Sequence, residues 1–180
     1  MLICCQPEAG NDWAVDGPAT ITHTRIVDNH TRMNTPHGDA WALSTVLFFY
    51  FGGSPTPTIS DSVISGNTVT VIAPEGEGKI EGVGLTNNGP LLLTRVQVTD
   101  NTGTVRAPAG SAHGGGIWNG SSFAGPDSTL TLDHTLIAGN VLRSTADLPL
   151  QGAGIYTPGF TVTRTHSPII HNAPDQCFGC

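Results

Sequence analysis

The sequence predicts an all-β protein, a right-handed parallel β-helix (solenoid) of about five coils with inserted loops. Three observations predict it: a composition suited to strands and turns, apolar columns at fixed offsets from a recurring asparagine, and a second anchor of the form Gly-x-x-apolar.

The composition comes first. Only 12% of the 180 residues are charged and 6% are aromatic, while there are 23 glycines and 13 prolines, with threonine abundant. Threonine favours strands, and glycine and proline favour tight turns. No long stretch joins helical periodicity to good helix formers.

The columns appear when the chain is aligned on Asn29, Asn67, Asn101, Asn140 and Asn172. Three residues before each stand Ile26, Ile64, Val98, Ile137 and Ile169. Eight before stand Ile21, Ile59, Leu93, Leu132 and then Arg164, the one break. Ten before stand Ala19, Pro57, Leu91, Leu130 and Val162. The offsets of ten and eight share period two, the mark of a strand with one buried face. A turn-like residue follows that strand: His23, Asp61, Arg95, His134 or His166. One coil cannot bury its own apolar face, so stacking at about 4.8 Å supplies the core. Each buried aliphatic contributes about 1.5–3 kcal/mol. The asparagines then have a structural role, since stacked amides at a bend hydrogen-bond one another and the backbone.

The second anchor occurs at Gly10, Gly38, Gly82, Gly114 and Gly152, each followed three residues later by an apolar residue. The spacings of 28, 44, 32 and 38 residues are irregular, so loops are expected inside constant coils. They fall after the asparagine, around 68–81, 102–113 and 141–151, and between the anchors, around 44–56 and 119–128. Residues 1–9 form an N-terminal segment that reads as truncated, 10–176 a single β-helix domain, and 177–180 a C-terminal Cys-x-x-Cys loop.

Units such as Gly-Gly-Gly-Ile-Trp-Asn (114–119) and Leu-Thr-Leu-Asp-His-Thr-Leu-Ile-Ala-Gly-Asn (130–140) resemble the parallel β-helix repeats of the pectin-lyase-like superfamily. They are most similar to the repeats of polymorphic outer-membrane-type and other bacterial surface proteins. The resemblance spans 10–176 and implies a secreted or surface protein. It implies no one activity, because such proteins include carbohydrate lyases, adhesins and autotransporter passengers.

Charge and hydropathy narrow the partners. A net charge of −7, with Lys79 the sole lysine, argues against nucleic acid or an anionic membrane. No run is long enough for a transmembrane segment; the longest apolar run is 46–51. That segment, with Trp13 and Trp41, is expected to pack in the core or across a loop. The expected partners are a glycan or another protein at the cell surface, with end-to-end association through an uncapped N-terminal end. No cofactor is expected.

The candidate binding surface is an outward threonine face made by Thr20, Thr22, Thr58, Thr94, Thr131, Thr163 and Thr165. Leu92 and Asp133 interrupt it. Recognition without turnover is the leading reading. A polysaccharide-active lyase- or hydrolase-like fragment is the alternative, although Asp28 and Asp100 are separated by Gly66 and no adjacent coils carry paired carboxylates. Ice binding through the threonine face is a further alternative, because some β-helical ice-binding proteins present a Thr-x-Thr lattice. His134 and His166 should lie about 5 Å apart in adjacent coils, without an evident third metal ligand. Cys177 and Cys180 suit a small disulfide, consistent with export. Cys4 and Cys5 lie about 24 Å away at the other end, too far to join them in one zinc site.

Overall fold

The computed structural model describes residues 15–16, 19–49, 55–120 and 128–180. Among these residues the regular structure is entirely β-strand. Among the described residues no helix is long and apolar enough to cross a membrane. The chain winds into stacked coils, a parallel β-solenoid with every strand pair parallel.

Five sheets run along the stack. Sheet I has six strands: Val15–Asp16, Val46–Phe49, Leu85–Asn88, Ile117–Asn119, Ile155–Tyr156 and Cys177–Phe178. Sheet II has five: Thr20–Thr22, Thr58–Ser60, Pro90–Thr94, Thr129–Asp133 and Thr161–Thr165. Sheet III has five: Arg25–Val27, Val63–Ser65, Gln97–Thr99, Leu136–Ala138 and Ile169–Ile170. Sheet IV has four: His30–Asn34, Thr68–Ile72, Thr102–Arg106 and Val141–Ser144. Sheet V has four: Ala40–Leu43, Glu77–Glu81, Ala109–His113 and Leu150–Gln151.

The main core lies between sheets I, II and III. Ile21, Ile59, Leu93, Leu132 and Arg164 stack in register on sheet II. Ile26, Ile64, Val98, Ile137 and Ile169 do so on sheet III. Val46, Leu85, Ile117 and Ile155 close it from sheet I. Ile169, in the last coil, is only partly buried.

Two left-handed residues in each coil set its corners. His23, Asp61, Arg95, His134 and His166 join sheets II and III, and Asp28, Gly66, Asp100, Gly139 and His171 follow sheet III; all have φ between 48° and 69°. Asp, His and Gly tolerate this region better than branched residues.

Behind the second corner runs the asparagine ladder. Asn67 donates from its backbone N–H (3.1 Å) and its side-chain amide (2.9 Å) to Asn101 Oδ1, and also to the Ile26 carbonyl (3.1 Å). The pattern repeats from Asn29 to Asn67, Asn101 to Asn140 and Asn140 to Asn172. Gly116 is packed against it: a Cβ there would lie 2.6 Å from the Gly154 carbonyl and 2.9 Å from Asn140 Nδ2. The ladder ends on Gln176, whose side chain accepts from Asn172 N–H and Nδ2 and donates to the Asn172 carbonyl. Asp175 accepts the backbone N–H groups of Gly152 and Ala153.

Two expectations are corrected. The segments 68–81, 102–113 and 141–151 are not inserted loops, because they carry the strands of sheets IV and V. Their inward residues make a second core around Val69, Val71, Ile80, Val105 and Leu142. The core is thin, filled elsewhere by Ala40, Ala42 and Ala112. Small residues at alternate positions erase the hydrophobic alternation that marks a strand.

The anchor at Gly38 is also displaced. Val46, not Trp41, stands level with Leu85 on sheet I. Trp41 lies on sheet V beside Lys79, exposed. Leu43 pairs with Glu81 and Val46 with Leu85, so the link between the two strands is one residue shorter here than in the next coil. The segment 46–51 enters sheet I as Val46–Phe49, with Val46 buried. Residues 1–14, including Gly10, Trp13, Cys4 and Cys5, lie outside the described residues, as do 50–54 and 121–127.

Candidate functional site

The outer face of sheet II is built by alternation. Ile59, Leu93 and Leu132 point inward and are fully buried, so the residues on either side of each point outward. Thr20, Thr58, Leu92, Thr131 and Thr163 form one outward column. Thr22, Ser60, Thr94, Asp133 and Thr165 form the next. Thr20, Thr22, Thr131, Thr163 and Thr165 are exposed, and Thr58 and Thr94 are half-buried. Neighbouring positions lie about 4.8 Å apart along the stack and about 6.6 Å across it, and a hydroxyl stands at each except Leu92 and Asp133.

A charged ridge borders this face at the first corner. Arg95 donates from Nε and Nη2 to the two oxygens of Asp61, at 2.6 and 2.8 Å. That bidentate contact holds the Asp61 carboxyl below its usual pKa and raises that of Arg95. His134 Nδ1 lies 2.7 Å from Asp133 Oδ1. The rings of His134 and His166 stack at 4.8 Å. Among the described residues, no three His, Cys, Asp or Glu side chains converge as a metal site.

Arg164 occupies an inward register position above Leu132, yet is exposed, because it lies in the last coil of sheet II. Asp28 and Asp100 occupy alternate corners with Gly66 between them. Cys177 and Cys180 are joined by a disulfide.

One cluster escaped the sequence reading. The residue after each sheet I anchor lies on the side of the strand away from the main core: Thr86, Trp118, Tyr156 and Phe178 stand in one column, with Thr86 and Trp118 buried and Phe178 exposed. Tyr156 stacks on Phe178 at 5.1 Å and on His113 of sheet V at 4.2 Å. Burial lowers the His113 pKa, and burial followed by the nearby Glu81 charge raises that of Tyr156. The signal was present in Gly-x-x-Ile-Trp and Gly-x-x-Ile-Tyr, as aromatics in the phase away from the main core.

No protein-family model, curated protein or solved structure matches the chain. The class that fold and surface define is a parallel β-solenoid with polar lateral faces.

Proposed function

We propose that this chain is a recognition module of a secreted or cell-surface protein, binding a hydroxyl-rich partner such as a glycan along its lateral face without turning it over. The observation that carries this is the pair of outward hydroxyl columns in register on sheet II. A rigid parallel sheet presents them without an ordering cost at binding. The carboxylates beside them support recognition over catalysis. Asp61 is held by Arg95 and Asp133 by His134, so neither is paired with a second carboxylate for acid–base work. The resemblance of the repeats to those of bacterial surface proteins agrees with this placement.

A glycan array tests it, with Thr131→Val/Thr163→Val as the paired variant. The expected result is binding by the parent that drops at least tenfold in the variant, with the ligand recovered intact. Shortened or unsaturated ligand would overturn the reading in favour of an enzyme. Array silence together with thermal hysteresis would overturn it in favour of ice binding.

A further inference from the structure

We infer that the outer face of sheet IV binds a sulfated polysaccharide. On this sheet Val69, Val71, Val105 and Leu142 point inward and are buried, so their neighbours face out. Arg32, Thr70, Thr104 and Arg143 form one outward column in register. Arg106 stands two residues further along its strand, in the column of Asn34 and Ile72. All three arginines are exposed.

These are three of only seven Lys and Arg residues in a chain of net charge −7. None of the four strands carries an Asp or Glu. Among the described residues, the ion pairs of Lys79 and Arg95 lie elsewhere, and no carboxylate comes within 4.0 Å of Arg32, Arg106 or Arg143. The four strands themselves therefore carry three arginines and no acidic residue.

The spacing selects a polymer. Arg32 and Arg143 are three strand steps apart, about 14 Å, and Arg106 lies about 8 Å from Arg143. One small anion cannot span these positions. The hydroxyls of Thr70 and Thr104 lie between them. Beside Arg106 is an open cleft of about 410 Å³ lined by Ile72, Pro74, Pro108 and Ala146. Its apolar walls suit the C–H face of a sugar ring whose charged substituent reaches the guanidinium.

The donor set favours sulfate. A bidentate guanidinium uses both oxygens of a carboxylate, whereas a sulfate ester keeps a third oxygen for a threonine hydroxyl. Nucleic acid fits poorly. Asp28 and Asp100 border the strip on one side and Glu75 and Asp147 on the other, so a duplex broader than the strip would set its phosphates against these carboxylates, whereas a single polysaccharide chain can lie along the arginines between them.

This inference deepens the recognition reading and rests on it, but uses a different face. The test is retention of the chain on immobilised dextran sulfate, dextran, polygalacturonate and DNA across a salt series. The triple variant Arg32→Gln/Arg106→Gln/Arg143→Gln is compared with the parent and with Thr131→Val/Thr163→Val. The substitutions are at exposed positions, and far-ultraviolet circular dichroism verifies that each variant is folded. Dextran sulfate should bind in preference to the other three. The triple variant should lose at least tenfold in affinity, with a salt slope shallower by about two to three. The triple Arg→Lys variant should recover only part of that loss, since lysine keeps the charge and not the fork. An unchanged triple variant, or equal binding of polygalacturonate or DNA, overturns the inference. In that event a neutral glycan still bound through sheet II leaves the recognition reading standing.

Discussion

Each asparagine of the ladder serves two coils at once. Asn101 Oδ1 accepts two hydrogen bonds from Asn67, and its amide donates to the Ile64 carbonyl and to Asn140. Replacing it with the similarly sized leucine leaves the buried Asn67 N–H unpaired and removes the side-chain bonds to the Asn67 amide and the Ile64 carbonyl. At about 1–3 kcal/mol for the orphaned group and about 0.5–1.5 kcal/mol for the further bonds lost, Asn101→Leu should cost about 2–4 kcal/mol. Urea unfolding measures this, and a loss under about 1 kcal/mol would contradict the energetic role given to the ladder. These asparagines could be read in the sequence because one residue type recurs at one offset. A parallel ladder of hydroxyls could not, because its rungs are mixed. Thr24 N–H donates to Ser62, Val96 N–H to Thr135 and Thr135 N–H to Ser167. Val96, fully buried, is the rung without an oxygen. Val96→Thr should complete it, adding about 0.5–1.5 kcal/mol. For a chain of this size that is a rise of about 1–6 °C in Tm, readable by calorimetry.

At the scale of the element, sheets II and III were legible and sheets IV and V were not. Ile59, Leu93 and Ile137 are large and regularly placed, so their alternation stands out. Sheets IV and V approach each other too closely for such residues. A Cβ on Gly78 would lie 2.7 Å from Val105 Cγ1, 3.0 Å from Ala107 Cβ and 3.2 Å from Val71 Cγ1. One on Gly103 would lie 2.9 Å from both Leu142 and Val83. Glycine and alanine at inward positions score as turns or as nothing, so the strands read as loops. The same omission hid the arginine face, which exists only once Arg32 and Arg143 share a sheet. Gly78 tests the explanation well, since it is buried on a strand and its φ is not positive. Gly78→Val should overpack the thin core and cost about 1–3 kcal/mol, with Gly78→Ala intermediate. An unchanged urea midpoint for the valine variant would show that the two sheets can separate freely.

At the scale of the whole molecule, the stack should be acid-sensitive before its carboxylates titrate. His113 and Tyr156 tie sheet V to sheet I across successive coils, and Phe178 extends the contact into the C-terminal closure. Burial disfavours the charged imidazole, so the folded pKa of His113 lies below its unfolded value of about 6.5. Below that value the unfolded chain binds more protons than the folded one. The stabilisation is therefore fully present above about pH 6.5 and declines as pH falls toward the folded pKa. Asp61 acts in a separate window. Its pKa is depressed by Arg95, so its contribution is present above the ordinary carboxylate range and is lost only at lower pH. Tyr156 acts at the other extreme: its raised pKa protects the fold below about pH 10 and is lost as pH rises through the folded value. Calorimetry between pH 5.5 and 8 separates the first effect from the other two. The parent should lose Tm on acidification across that range. His113→Phe preserves an aromatic ring against Tyr156 and removes the titrating group, so its loss should be smaller. The difference between the two slopes isolates His113 from the other six histidines. Equal slopes would mean that the imidazole accepts its proton without leaving the stack, and that the contact between sheets I and V is not the acid-sensitive joint of the solenoid.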